Sequence, residues 1–294
     1  MKEKIKQSLS AKLALFFISS LSIIMIGVVL LSSLYTNKSF NEYLQKDVDT
    51  SLKGLSDTIK DYKNQINTVG TELTNSTEFI NNINSKNTYS ITSTIMSTAK
   101  ENGVSYIVVM DTDGKVIAKN TTEELNYNNY SKLGHVQKAM KGEQNITTEV
   151  ITDKNLCLCS AAPIRDGSTV IGYISTVQSL KDNKFIDELK NVCDSDFTIF
   201  LGSEPINTTI VKDNKRQLNI KPDSKIIDRV LKNKQNYSGK TNILGSTYMC
   251  SYSPILDGQN AVGIMFSGKN IDSTERIINI TVLVSIIVSV LLLI

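Results

Sequence analysis

The chain carries few side chains capable of chemistry. Among 294 residues there is one His, His135, no Trp and four Cys, at 157, 159, 193 and 250. A Ser-His-Asp or Cys-His mechanism would hang entirely on His135, and a zinc site needs several imidazoles or a thiolate cluster. Cys157 and Cys159 are two apart, so a strand turns both to one side. A disulfide between them would be strained, and a metal held by that pair would need further ligands, with His135 as the sole imidazole. His135 stands beside Gly134 at the start of a short helical stretch and is expected at the surface or near a helix cap. With neither a nucleophile–base pair nor a metal set legible, the chain is not expected to be an enzyme or to need a cofactor. A net charge of +3 with 21% charged residues leaves no basic footprint for nucleic acid.

The apolar residues are gathered at the two ends. Leu13 to Leu34 is an uncharged run, and about 20 apolar residues span a hydrocarbon layer of about 30 Å. Lys2, Lys4, Lys6 and Lys12 precede it, which places residues 1–12 as a cytoplasmic tail and 13–34 as a first transmembrane helix. The run is longer than a signal-peptide core and lacks a small-residue cleavage pattern after it. Ile277 to Ile294 is a second apolar run, with Arg276 at its edge, and 271–294 is read as a second transmembrane helix. The chain is expected to be the front portion of a longer protein, because no basic cluster or soluble tail follows. Residues of about 35–275 would then face outside in a multi-pass protein of the cell membrane.

The intervening segment repeats itself. Shifted by 91 residues, LCSAAPIRDGSTVIGYIS (158–175) lies over MCSYSPILDGQNAVGIMF (249–266), matching Pro163, Asp166, Gly167 and Gly172 to Pro254, Asp257, Gly258 and Gly263. The same shift sets KAMKGEQN (138–145) over RVLKNKQN (229–236) and YIVV (106–109) over FTIF (197–200), so one register is expected to serve all three blocks. Cys159 and Cys250 are equivalent in the two copies, which makes a bridge between them improbable. Each copy reads as a strand, a turn, a return strand, a short helix and three antiparallel strands closed by an Asp-Gly hairpin. The first copy places these at 104–110, 116–119, 133–141, 145–152, 156–164 and 169–178. The second places a strand at 197–201, a helix at 225–233 and strands at 236–243, 247–255 and 260–268. This is an α+β, PAS-like module in tandem.

Residues 35–100 supply a long extracytoplasmic helix and its connection. Val48, Leu52, Leu55, Ile59, Tyr62, Ile66, Val69 and Leu73 recur at alternating spacings of four and three, a heptad seam. The seam is expected to serve a twin helix in a homodimer, its own lobes, or both.

Anchor, long helix, two lobes and second anchor resemble a bacterial Cache-type receptor, and more narrowly the fused double-Cache module of methyl-accepting chemotaxis proteins. The blocks that carry the resemblance are SYIVVMDTDGKVIAKN (105–120), FTIFLGSEPINTTIVKDNKR (197–216) and GSTYMCSYSPILDGQNAVGIMFSGKNI (245–271). The resemblance implies a membrane-distal Cache lobe at 101–180 that holds a small-molecule ligand, and a membrane-proximal Cache lobe at 181–270. It also implies signalling through the second membrane helix by small piston or tilt motions. Cytoplasmic signalling partners would follow only if a longer chain does. The sensor of a histidine kinase or a cyclic-dinucleotide enzyme is the alternative; a membrane-tethered enzyme or adhesin is the remotest reading.

The resemblance also locates a pocket. Citrate-sensing relatives place basic residues two and four positions before the strand-end Pro, where this chain has Ala161 and Cys159. They carry a basic residue and a His after the Asp-Gly turn, where this chain has Val116 and Lys119. Ser175 retains their hydroxyl. Most of the counter-charge for a tricarboxylate is missing, and burying unpaired charge is costly. The aromatic, Arg and Asp motif of amino-acid receptors is also not met. A small, weakly charged or monoanionic ligand is expected. The candidate ligand-binding residues are Tyr106, Lys119, Tyr130, Cys159, Ala161, Tyr173 and Ser175, with Tyr248 and Ser251 as second-lobe equivalents. No metal ligands are assigned.

Overall fold

The computed structural model describes residues 9–121, 129–143, 145–152 and 154–291; the expectations for Lys2, Lys4, Lys6 and the last three residues fall outside that range. Helix α1 runs from Leu9 to Asn75, about 100 Å at 1.5 Å per residue. Short helices α2 (Thr77–Asn84) and α3 (Thr88–Glu101) follow. Ser76 and Asn87 start them, each with its side-chain oxygen accepting from a backbone N–H of the first turn.

The first lobe contains β1 (Tyr106–Met110), β2 (Val116–Lys119), α4 (Gly134–Met140), β3 (Asn145–Thr152), β4 (Asn155–Asp166) and β5 (Thr169–Ser179). Its sheet has the order β2-β1-β5-β4-β3. The second lobe contains α5 (Asn183–Cys193), β6 (Asp196–Leu201), β7 (Glu204–Thr208), the small hairpin β8 (Val211–Lys212) and β9 (Lys215–Arg216), α6 (Ser224–Ile227) with a π turn over Asp228–Lys232, β10 (Tyr237–Ile243), β11 (Ser246–Asp257) and β12 (Asn260–Asn270). Its main sheet, read from the other end, is β7-β6-β12-β11-β10. The two sheets share one topology, as the repeat requires. Helix α7 (Asp272–Leu291) closes the described chain. Both Asp-Gly hairpins turn on a left-handed glycine, Gly167 at φ 59° and Gly258 at φ 56°.

The repeat needs one correction. In the first lobe Tyr173 stands opposite Met110, and in the second Ile264 stands opposite Phe200. Tyr173 and Ile264 are 91 apart, but Met110 and Phe200 are 90 apart, so the opening strand of the second copy is displaced by one residue. The glycines confirm it: a Cβ on Gly172 would collide with the Met110 carbonyl oxygen, and one on Gly263 with that of Phe200. A one-residue slip exchanges the faces of a strand, so Tyr106 and Phe197 face opposite sides of their sheets.

The chain divides into two compact units. One is formed by the chain up to Asp47 with Gly239–Met249 and Lys269–Ile294; the other comprises Val48–Ser238 and Cys250–Gly268. Within the first, Thr247 N–H donates to Asp272 Oδ1 at 2.8 Å and Lys240 pairs with Glu275 at 2.6 Å. One described helix, α1, contains a stretch long and apolar enough to cross a membrane.

The second unit holds two apolar cores. In the larger, Leu52, Leu55, Ile59, Ile66, Val69 and Leu73 of α1 pack with Ile91 and Ile95 of α3, Ile107, Val109, Leu158 and Ile174 of the first sheet, and Phe197 and Ile199 of the second. The seam is therefore consumed within the subunit, because side chains with at most 7% exposure cannot also serve as knobs for a twin helix. That corrects its expected use in self-association. The helix approaches the sheet closely: Thr176 Oγ1 donates to the Ile66 carbonyl at 2.6 Å, and Gly70 lies against the same hydroxyl. The smaller core lies on the opposite face of the first sheet.

Candidate functional site

Strand β1 and most of β4 and β5 are buried on both faces, so alternation sorts them cleanly. Even-numbered residues of β4 (Leu156, Leu158, Ala162) enter the large core, and odd-numbered ones (Cys157, Cys159, Ala161) enter the small one. The register then lines up the candidates. Lys119, Val108, Ser175, Ala161 and Asn145 form one row across the five strands. Tyr106, Val177, Cys159 and Thr147 form the next row, and Met110, Tyr173 and Pro163 lie on the other side.

Tyr106, Tyr130, Cys159, Ala161 and Tyr173 all belong to the small core, and Ser175 sits in its middle row, fully buried. Lys119 ends that row on the outermost strand, exposed. Tyr130 reaches the core from the loop before α4, where its N–H donates to the Gly114 carbonyl at 2.8 Å. Gly114 permits that approach: its φ is +81°, and a Cβ would lie 2.7 Å from the Ser131 nitrogen. Tyr248 is buried on β11, and Ser251 bonds to Ser238 at 2.9 Å and to Asp49 at 2.6 Å.

His135 lies next to the N-terminal cap of α4, as expected, but it is fully buried and not at the surface. Its Nε2 lies 2.8 Å from Ser175 Oγ, and its Nδ1 3.3 Å from Glu149 Oε1. Glu149, on β3, also accepts from the backbone N–H groups of His135 (2.7 Å) and Gly134 (3.0 Å) and from the Thr147 hydroxyl. It thereby caps α4, whose N-cap residue Leu133 has no side chain able to do so. Burial alone would raise the Glu149 carboxyl, but the His135 ring, the Thr147 hydroxyl and the His135 N–H together hold it down at about 2. Glu149 was not singled out from the sequence, and His135 was singled out only as a lone imidazole near a helix start. The available signal was the repeat, which sets His135 over Ile226, a buried apolar residue.

The second lobe differs at this face. The 91-residue shift, which holds for β4 with β11 and β5 with β12, maps Ala161 and Ser175 onto Tyr252 and Phe266. Those two rings pack at 4.9 Å between centroids, and Tyr237 adds a third ring 6.0 Å from Tyr252. Burial pushes the Tyr252 phenol strongly up. Where the first lobe places a methyl beside a hydroxyl, the second is filled with aromatic rings.

All four cysteines are unbridged, with 157, 159 and 250 buried. Burial raises the Cys159 thiol well above its ordinary value. Among the described residues no group of three or more His, Cys, Asp or Glu is placed to hold a metal. Asn207 is buried, its Nδ2 donating to the Leu180 and Asp182 carbonyls.

Two family models, both described as "Single cache domain 3", match this chain, one over residues 56–176 and the other over 177–281. No curated protein matches it in sequence. Solved structures share the fold at low identity. The periplasmic domain of Vibrio cholerae LuxQ is 12% identical with a TM-score of 0.54, covering 76% of this chain and 99% of that one. The sensor domain of the V. cholerae histidine kinase DctB is 11% identical with a TM-score of 0.50, covering 77% and 97%. The ligand-binding domain of the Campylobacter jejuni chemoreceptor Tlp3, in complex with L-valine, is 11% identical with a TM-score of 0.53, covering 85% and 98%. The two sheet lobes of this chain are a tandem pair of Cache domains.

Proposed function

We propose that residues of about 35–275 are the extracytoplasmic sensing region of a bacterial chemoreceptor, which binds a small molecule in the first lobe (101–180). The occupied lobe then acts on a second membrane helix at 271–294. The observation that carries the choice of lobe is the contrast of Ala161 and Ser175 with the packed Tyr252 and Phe266. Ligand sites are concave and mostly apolar, with a few polar groups that fix orientation. The first lobe offers that mixture through Tyr106, Tyr130, Cys159, Ala161, Tyr173 and Ser175, with Lys119 at the edge of the row, while rings fill the second.

The extracytoplasmic placement is supported by the N-terminal lysines before an apolar helix and by the periplasmic and extracellular sensor domains that share the fold. Sensor domains of this fold belong to both chemoreceptors and histidine kinases; the former is preferred because fused modules of this kind are common in chemotaxis receptors. A homodimer remains part of the proposal, with the seam of α1 excluded as its contact. The row through Ser175 holds one lysine, Lys119, at its outer end, which favours a ligand with at most one negative charge.

The test is thermal unfolding of the full chain in detergent micelles against a panel of small metabolites. A compound at 100 times its dissociation constant adds about 2.7 kcal/mol. Ala161→Tyr, which copies the second lobe, should abolish the shift while leaving the unfolding transition cooperative. A shift that survives this change, but is lost on altering Tyr248 or Ser251, would move the site to the second lobe. Output is tested separately, by placing residues 1–294 ahead of the cytoplasmic half of a characterised chemoreceptor and measuring kinase control.

A further inference from the structure

A groove of about 210 Å³ lies where α1 passes the end of α3, lined by Thr58, Asp61, Tyr62, Gln65, Asn102 and Gly103. It shares no residue with the small core of the first lobe, and its Tyr62 packs against the larger one. The hydrogen-bond donors around it are turned inward. Thr58 Oγ1 donates to the Gly54 carbonyl at 2.9 Å, and Asn102 Nδ2 to the Thr98 carbonyl at 3.0 Å. Gln65 Nε2 donates to the Asn102 carbonyl. A carbonyl only accepts, so these contacts fix which end of each amide is nitrogen. The Gly103 N–H is taken by the Lys100 carbonyl at 3.4 Å. What remains is mostly oxygen: Gln65 Oε1, Asn102 Oδ1, the Thr58 lone pairs and the Asp61 carboxylate. Among the described residues no cation pairs with Asp61.

The electrostatic field has the matching sign. Helix α3 ends at Glu101, with Asn102 as its cap and Gly103 beyond it at φ +63°. The groove therefore sits at the negative end of a helix of 14 residues, where cations are favoured. Burial first, and then the charges of Glu188 and Asp182, raise the Tyr62 phenol. The ring stays neutral, and those two carboxylates at α5 add to the negative potential. Glu188 is offset only by an exposed pair with Lys184 at 3.9 Å. A neutral phenol ring also attracts a cation at its face.

One carboxylate among amide and hydroxyl oxygens is thin coordination for a bare divalent ion, which takes six or more oxygens. An ammonium instead brings N–H donors to the acceptors that are waiting. The groove is smaller than the roughly 300–1,000 Å³ of sites for drug-sized ligands, which suits a short amine. We propose that it binds the primary ammonium group of a small amine, with Asp61 as counter-ion and Thr58, Gln65 and Asn102 accepting its hydrogens. The bound amine ties α1 to the corner between α3 and β1. This is a second site, independent of whether the first lobe senses a ligand on its small core.

The test uses the full chain in detergent micelles, with n-propylammonium chloride as the probe and sodium chloride at equal ionic strength as the reference. Propylammonium should raise Tm saturably, in the millimolar range set by so few atoms, and should slow amide exchange in peptides holding residues 58–65 and 102–103. 1-Propanol, which lacks the charge, and tetramethylammonium, which lacks N–H donors, should each give less than half that shift. Asp61→Asn, a nearly isosteric change at an exposed position, should erase the response, and Ala161→Tyr should leave it intact. No shift beyond that of sodium chloride, an equal shift from 1-propanol, tetramethylammonium or magnesium chloride, or a response that survives Asp61→Asn overturns the proposal. A response kept in Asp61→Asn but lost in Ala161→Tyr would place the amine in the first lobe, supporting the sensing reading and overturning this one.

Discussion

Removing the Glu149 charge should make the stability of this protein lose part of its dependence on pH. The carboxyl is held at about 2 against an ordinary value of 4.5, a difference of about 2.5 units, or about 3 kcal/mol at 1.36 kcal/mol per unit. Because the folded value is depressed, the contribution is fully present above pH 4.5 and is lost as pH falls toward 2. The carboxylate is 16% exposed, so solvent screens it little, and the figure stands as an order of magnitude. Most of the gain comes from the His135 ring, with smaller shares from the Thr147 hydroxyl and the cap on α4, none of which Gln can reproduce with a charge. Glu149→Gln should therefore be less stable than the native chain at pH 6, and the gap should close by about 2 kcal/mol by pH 3. The assay is urea unfolding of both proteins in matched micelles at half-unit pH steps, with the free-energy difference plotted against pH. The difference cancels the titration of the other carboxylates. A gap that stays flat from pH 6 to pH 3 would refute the argument, as would one that widens on acidification.

Other outcomes follow from the packing. Ile66→Ala, at a fully buried position between α1 and the first sheet, should cost about 2–5 kcal/mol, read as a lowered urea midpoint at constant slope. Gly114→Ala should destabilise the turn over Tyr130 by about 1–3 kcal/mol, because φ is +81° and the new methyl would meet Ser131; Gly142→Ala, also at positive φ but with nothing within 4 Å, should cost less. Under native conditions a thiol reagent should modify one cysteine per chain quickly, Cys193, with 157, 159 and 250 reacting only on unfolding; mass spectrometry of peptic fragments would show which.

Much of the fold was legible because the relevant patterns are local. The seam of α1, the Asp-Gly hairpins and the alternation in β4 and β5 announce themselves in runs of a few residues. What α1 packs against was not, since a heptad seam reads alike whether a twin helix or a sheet covers it. The repeat was found through its most similar block and then extended with one shift too confidently: a single residue gained in the second copy after β6 leaves strand character intact while exchanging faces. The candidate residues on β1, β4 and β5 share one face because strand parity is arithmetic. The contact of His135 with Glu149 was missed for a different reason. They are fourteen residues apart on a helix and a strand, and only the folded sheet brings them to Ser175, forty residues further on.

The burial of the α1 seam also bears on the order in which the chain can fold. The seam is synthesised before either sheet, and although α3 follows closely, part of its cover comes from Thr176 and neighbours more than a hundred residues later. Until they emerge, an apolar stripe on a helix continuous with the apolar N-terminal run is only partly covered. Closing such distant contacts is slow, and exposed apolar surface on a waiting intermediate invites association. A heptad pattern that plays no coiled-coil part in the finished subunit is well suited to a temporary one, with nascent neighbours sheltering each other's seams until each chain's own sheets displace them.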